Sequence, residues 1–347
     1  MAYVATITID HTKVPGDLTD YVGLIVPDGS AGYSALYALC LESGGDIRLF
    51  KSDDTTELAR EIVSFSVSAE TGEIHYKYSG TLSSSVDTDI HVYADGSSSD
   101  YAVTATYGRN AVWADYEAVY HLDSDGTDST GNGYGLTNKN SVAFPAGKIG
   151  GGSNAGTGND TANAVATKSL YMQGSSPLKS YWSAGFTVSY WRYINDLDGI
   201  WDISFEDSAS GAVRSSDTGG FSGIGDYGTL SVETWYHQVL RKSSNNWSLR
   251  LDGVQVDTHS GGHATTSGRD GLVLHAHDES QTGREGSNTR LDEFRVTGEI
   301  LSDNWITAEY NNQNSYSTFY SVAAVAGGGG FTPTPLIHQM QMAGGGV

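Results

Sequence analysis

The stretch Gly185-Phe186-Thr187-Val188-Ser189-Tyr190-Trp191-Arg192-Tyr193 decides the fold. A period of two sends Phe186, Val188 and Tyr190 to one side and Trp191 and Tyr193 to the other, as in a strand within a sheet. One of these faces is expected to be core and the other wet. Trp247-Ser248-Leu249-Arg250-Leu251 alternates in the same way. Around these two, strands are expected over residues 201–205, 235–240, 247–256, 271–277 and 291–296, and the Gly-rich run 147–163 reads as an internal loop.

Upstream, residues 1–110 read as a separate unit of short strands at Ile7 and Ile9, then 24–26, 47–50, 62–67, 74–78 and 90–93, divided by Gly, Asp and Ser turns. Residues 33–41 stand apart, because Ala35, Leu36, Ala38 and Leu39 fit one or two helical turns. After the last strand, Ser302 is a good N-cap and Asp303 suits a first turn. Trp305, Ile306, Glu309 and Tyr310 then predict a helix with one apolar and one polar face. The second unit runs over 111–326, and a tail occupies 327–347. That tail carries Phe331, Pro333, Pro335, Leu336 and Ile337, with no Asp, Glu, Lys or Arg over 331–342. Its composition alone reads as disorder, but an apolar peptide of this kind suits docking on a neighbouring copy, and it is expected to be an assembly peptide.

A chain of 347 residues is enough for about two domains. It has few prolines and none of the long Leu/Ala/Glu/Lys runs that sustain helices, so composition points to strands and turns. Forty-one acidic residues against 19 basic ones leave a net charge of -22. That field repels phosphate backbones and anionic headgroups, so nucleic acid is not an expected partner. Cys40 is the single cysteine, which excludes an intrachain disulfide and a thiolate zinc cage. The N-terminus Met1-Ala2-Tyr3-Val4-Ala5-Thr6 has neither a basic nor an apolar segment, and no run approaches about 18 apolar residues. Neither an export signal nor membrane insertion is expected.

Two sets of residues resemble known families. The first is Gly44-Gly45-Asp46-Ile47-Arg48-Leu49-Phe50-Lys51-Ser52-Asp53-Asp54-Thr55-Thr56-Glu57-Leu58, followed by Glu61-Ile62 and by Asp87-Thr88-Asp89-Ile90-His91-Val92-Tyr93. It resembles the small β domain DUF2341 of surface proteins, over most of residues 10–108. The second begins with Trp113-Ala114-Asp115-Tyr116-Glu117-Ala118-Val119-Tyr120-His121-Leu122 and Asp128-Ser129-Thr130-Gly131-Asn132-Gly133. Phe186 to Trp191, Trp235-Tyr236-His237 with Leu249-Arg250-Leu251-Asp252-Gly253, and Leu291-Asp292-Glu293-Phe294-Arg295-Val296 with 302–312 continue it. These pieces resemble, in family order, the concanavalin A-like, laminin G-like (LamG) jelly roll. The resemblance implies an all-β chain of two β-sandwich domains, the second a concanavalin A-like jelly roll with a short C-terminal helix. Members of that family bind glycans or proteins, serve as spacers, or in distant branches hydrolyse glucans.

Glucan hydrolysis needs two carboxylates about 5 to 10 Å apart, and the glucanase branch supplies them as Glu-x-Asp-x-x-Glu. None of the thirteen glutamates has an aspartate two positions later, and the nearest clustering, Asp198, Asp202 and Glu206, reads as loop solvation. No catalytic residue is assigned, and the chain is expected not to be an enzyme. A structural calcium, which the family holds in a comparable place, would draw on Asp123, Asp125, Asp128, Asn132 and Asp292. By alternation Asp292 shares a face with Phe294 and Val296. His275 and His277 fall on one side of one expected strand, near His259 and His263; the spacing suits a transition metal, and it suits hydrogen-bonded surface rings as well. Glycan binding would use exposed rings, with Tyr181, Trp182, Trp191, Tyr193 and Trp201 as candidates.

These features together lead to an expected non-enzymatic virion surface protein, a phage capsid decoration or tail-fibre component. Its first domain or tail would join other virion or lattice subunits, including copies of itself, and its sandwich would present a glycan-binding face. Two alternatives are a bacterial cell-surface or secreted carbohydrate-binding adhesin and a purely architectural filament or lattice subunit.

Overall fold

The structure, a computed structural model, describes residues 1–138, 141–154, 170–172, 177–178, 181, 184–195, 201–206, 213–216, 220–221, 224–261, 271–275 and 289–325. It is an all-β protein. The first unit contributes β1 (Ala2–Ile9), β2 (Leu18–Ile25), β3 (Arg48–Lys51), β4 (Glu57–Ser66), β5 (Thr71–Leu82) and β6 (Thr88–Ala94). Short helices α1 (Ser34–Leu39) and α2 (Arg109–Val112) lie between and after these strands, α1 where the apolar spacing of 33–41 predicts it. The second unit contributes β7 (Ala118–Tyr120), β8 (Leu136–Asn138), β9 (Ser153–Asn154), β10 (Leu170–Met172), β11 (Gly185–Ile194), β12 (Trp201–Glu206) and β13 (Val213–Ser216). It continues with β14 (Gly220–Phe221), β15 (Gly225–Asp226), β16 (Thr234–Ser243), β17 (Asn246–Leu251), β18 (Val254–Ser260), β19 (Gly271–Leu274) and β20 (Thr289–Thr297). The chain then forms α3 (Asp303–Asn314), α4 (Tyr316–Phe319) and β21 (Tyr320–Ala324).

Two facing sheets make the sandwich of the second unit, in the orders β18-β17-β16-β11-β20-β7 and β15-β14-β13-β12-β19-β10-β8. Phe186, Val188, Tyr190, Trp247 and Leu249 of the first meet Ile203, Phe205, Leu272 and Leu274 of the second in one core. The alternation in β11 therefore reads correctly on its inner side. The single strand expected over 247–256 is instead a hairpin, because Asp252 and Gly253 take φ of 52° and 79°. Two consecutive left-handed residues make the tight turn that matches strand twist, and Asp-Gly is among the few pairs that tolerate it.

In the first unit the strand order is β2-β5-β4-β3-β6-β1-β21. The path folds over so that Tyr21, Ile25, Ile74 and Tyr76 share a core with Ile7, Ile9, Ile90 and Val92. Its last strand comes from the far end of the chain: β21 pairs antiparallel with β1, Ile7 opposite Val322.

Helix α3 carries the chain back to that strand and lies between the two units. It starts where the N-cap rule places it, with the Ser302 hydroxyl accepting from the Trp305 N–H at 3.1 Å. On one side Trp305 packs on Tyr21 at 5.3 Å between ring centroids. Asn312 bonds both the N–H and the C=O of Leu24, at 2.7 and 2.9 Å. On the other side Trp191 Nε1 donates to Gln313 Oε1 at 2.6 Å, and Tyr310 stacks on the Trp191 ring. Helix α3 keeps a polar side at Asp303, Asn304 and Asn314, which are exposed, but Glu309, expected on it, is buried with Asn312 and Gln313 where they bond strands of both units. The outer face of β11 is not generally wet, because α3 and the first unit roof it.

Candidate functional site

The outer face of β11 is best described as cross-strand rows. Under α3 lie Ser189, opposite Arg295 and Val239, and Trp191, opposite Asp292 and His237. The next row outward joins Trp235 of β16, Tyr193 of β11, Arg290 of β20 and Asn154 of β9, each opposite its neighbour. All four are half-buried. The covered rows hold an ionic seam, and the last row leaves aromatic surface open.

The seam is made by a bulge. Simple alternation along β20 would put Asp292 with Phe294 and Val296, but the register slips between Ser189 and Trp191, and Glu293 takes a φ of 51°. The extra residue keeps Leu291, Phe294 and Val296 in the sandwich core and turns Asp292, Glu293 and Arg295 away from it. His121, just after β7, then meets Glu293 Oε1 through Nδ1 at 2.5 Å. From β5 of the first unit, His75 Nε2 lies 3.0 Å from Glu73 Oε1 and 3.7 Å from Glu293 Oε2. His121 Nδ1 is also 3.6 Å from Glu73 Oε1. Arg295 donates to Glu293 Oε2 and, at 2.9 Å, to Glu309 Oε1. Glu61 Oε2 faces His121 Nε2 at 3.1 Å, and Glu61 is held in turn by Trp113 Nε1 and the Ser129 hydroxyl.

Burial sets the charge states in opposite directions. Loss of water and the neighbouring Glu293 charge push Glu73 well up, and the same causes raise Asp292. Burial alone would lower His121, yet the Glu293 and Glu61 carboxylates hold it well above the usual histidine range. Burial would likewise raise Glu293, but His121 and Arg295 keep it well below the ordinary value. Desolvation pushes His75 down. An ion pair of His121 and Arg295 with Glu293 therefore forms the centre of the seam, surrounded by carboxyls that resist ionisation.

The five expected calcium ligands do not converge. Asp128 is saturated within its own turn by the Val119, Thr130 and Tyr134 N–H groups and the Thr130 hydroxyl. Asp125 caps Thr127 on the surface at 2.8 Å, and Asn132 donates to the Tyr116 and Glu117 carbonyls at 3.2 and 3.1 Å. Asp123 and Asp292 do meet one loop. Asp123 Oδ1 accepts from the Gly151 N–H, and Asp292 Oδ2 accepts from Lys148 and Ile149 at 2.7 and 2.8 Å. Asp292 Oδ1 and Glu73 Oε2 are buried with no hydrogen-bond partner among the described residues. Gly150, at φ 52°, sits where any Cβ would collide with Glu73 and Asp123. Asp123, Asp292 and Glu73 line the same loop but do not together form one of the described groups whose donor atoms lie within 4.8 Å of one another, so the expected calcium ligands are not brought together.

The glycan candidates separate just as sharply. Trp191 is 1% exposed under α3, so it cannot stack on a sugar. Tyr181 is packed against the sandwich core, its hydroxyl donating to Glu117 Oε1 at 2.5 Å. Tyr193 is in the open row, its ring centroid 5.4 Å from that of Trp235, with the Arg290 guanidinium 5.0 Å from the Tyr193 centroid. Trp235, Arg290 and Asn154 were not singled out in the sequence as glycan residues, because only strand pairing brings them beside Tyr193. Trp182 and the Trp201 side chain lie outside the described residues, as do His277, His263, Asp198, the side chains of Asp202 and Glu206, and the tail residues Phe331, Pro333, Pro335, Leu336 and Ile337. His275 is not a surface residue. The strand ends at Leu274, His275 takes a φ of 67°, and its Nε2 meets the Ser153 hydroxyl at 2.8 Å in a buried position.

No family model matches the chain, and no curated protein does. Solved structures give partial likenesses. The binding domain of Paraclostridial Mosquitocidal Protein 1 aligns at a TM-score of 0.44 and 16% identity, over 58% of this chain and 52% of that one. The binding domain of botulinum neurotoxin DC in complex with rat synaptotagmin II aligns at 0.43 and 12%, over 58% and 52%. Domain 4 of AbnA, an extracellular arabinanase from Geobacillus stearothermophilus, in complex with arabinotriose, aligns at 0.40 and 16%, over 55% and 96%. The chain spans about half the length of the toxin binding domains it matches.

Proposed function

We propose that the chain is a non-enzymatic carbohydrate-binding surface protein whose sugar site is the open row Trp235, Tyr193, Arg290 and Asn154. The observation that carries this reading is the pairing of two half-buried aromatic rings with a guanidinium and an amide in one straight line across four strands. Aromatic rings offer apolar faces to a sugar's C–H side, and flanking polar groups bond its hydroxyls. At a net charge of -22 the ligand is a neutral glycan and not a polyanion.

The buried carboxylates of the seam are a poor hydrolytic pair, since Glu73 and Glu293 are 2% and 1% exposed and a polysaccharide cannot reach them. The setting in this proposal is the surface of a virion, with a bacterial cell surface as the alternative. A glycan array probed with the full chain tests the sugar reading. Binding to a neutral glycan is expected, weakened about fivefold by Trp235→Ala and by Tyr193→Ala, because a lost stacking contact is worth roughly 1 kcal/mol. Binding that both variants retain would remove the row from the argument.

A further inference from the structure

We propose that Glu73, His75, His121 and Glu293 form a closed site for one transition-metal ion, with zinc as the fitting probe, and that this ion ties the two units together. One donor atom from each residue lies within 4.8 Å of all the others, and all four side chains are buried. Two donors come from β5 of the first unit and two from the sandwich, so the site exists only when the units are docked.

The spacing suits such an ion. Metal–ligand lengths of about 2.0 to 2.2 Å place tetrahedral donors roughly 3.3 Å apart. The separations here are 3.0 Å for Glu73 and His75, 3.6 Å for Glu73 and His121, and 3.7 Å for His75 and Glu293. Glu293 reaches His75 with Oε2 and His121 with Oε1, and the His121 contact, at 2.5 Å, has to open. Two imidazoles with two carboxylates favour zinc or its neighbours over calcium and magnesium, which take oxygen alone.

The surroundings match a ligand sphere. The second ring nitrogen of His121 faces Glu61 at 3.1 Å, and Glu61 is fixed by Trp113 and Ser129, the outer arrangement that orients a metal-bound imidazole. Arg295 lies 3.5 Å from His75 Nδ1, too far to dictate that ring's tautomer. Glu73 Oε2 is buried and has no hydrogen-bond partner among the described residues. Carboxylates also outnumber cations here. Glu61, Glu73, Asp292, Glu293 and Glu309 are buried against Arg295 and His121.

The test uses the full, tag-free chain stripped with chelator and titrated with cobalt(II), followed by native mass spectrometry and visible absorption. One ion per chain with the intense bands of tetrahedral cobalt is expected, displaced by zinc. Glu73→Gln and His75→Gln should each weaken binding at least about 100-fold, and Glu61→Gln about tenfold. His11→Ala, which opens the exposed group of Asp10, His11 and Asp87, should change nothing. A wild-type chain that takes up no ion, or takes it up only in an octahedral spectrum, overturns the site. So does binding that survives Glu73→Gln and His75→Gln or disappears with His11→Ala. Should the seam variants fail to fold, wild type and His11→Ala still decide: a tetrahedral ion kept in His11→Ala supports the site, and its loss there refutes it.

Discussion

Where α3 roofs it, the sheet built on β11 is buried on both faces, and the two burials rest on opposite chemistry. Inward, Phe186, Val188 and Tyr190 fill a core by volume. Outward, Ser189 and Trp191 meet a roof through named partners, Glu309 at 3.3 Å and Gln313 at 2.6 Å, beside the Arg295 and Glu293 pair. An apolar face tolerates any side chain of suitable size, whereas a polar face depends on each partner, because a stranded charge in low dielectric has nothing to replace it.

That contrast breaks most visibly with two matched substitutions. Arg295→Met keeps length but takes the guanidinium from Glu309 and leaves Glu293 with His121 as its cation, and should destabilise by about 3–5 kcal/mol. Phe186→Leu keeps an apolar group in place and should cost less than about 1.5 kcal/mol. Urea unfolding of both proteins checks the pair, and equal losses would mean that the outer face is held by area after all.

A smaller effect depends on pH. His275 has a burial-depressed pKa of about 3, against an ordinary 6.5. The unfolded chain takes up that proton near pH 6.5 and the folded chain only near 3, so the contribution is intact above 6.5 and is lost as pH falls through this window. Between pH 6.5 and 5 the loss is roughly 2 kcal/mol, at about 1.4 kcal/mol per unit. His275→Gln can keep a bond to the Ser153 hydroxyl, and its thermal stability should fall less steeply over the same range. Parallel pH curves for the two proteins would show that His275 is not the group responsible.

The inner face was legible in the sequence for the same reason that it tolerates change: period-two apolarity does not depend on which strand pairs with which. The helix was legible too, from Ser302 and Asp303. What failed depends on register. The bulge at Glu293 inverts the side of Asp292, and a lone Glu in the left-handed region has no signal in one sequence. The turn at Asp252-Gly253 did carry its dipeptide signal, which the surrounding alternation masked. Of the glycan candidates, Tyr193 lies in the open row, and its row partners Trp235, Arg290 and Asn154 had no signal because they lie far apart in the chain. The seam histidines His75 and His121 belong to separate units, and no spacing along the chain links them.

The smallest predicted effect tests whether α3 acts as a strut between the faces. Ser302→Ala removes the hydroxyl that accepts from Trp305 and should cost about 1 kcal/mol. The first turn is also pinned from the sandwich side, where Arg241 and Arg250 reach Asp303 at 2.7 and 3.0 Å, so fraying should stay partial. Because Asn312 of the same helix holds the Leu24 backbone, loosening should travel to β2. Hydrogen exchange should therefore quicken at Leu24 as well as at Trp305. Faster exchange at Trp305 alone would mean that each end of α3 is anchored independently and that the two units are joined by the seam without it.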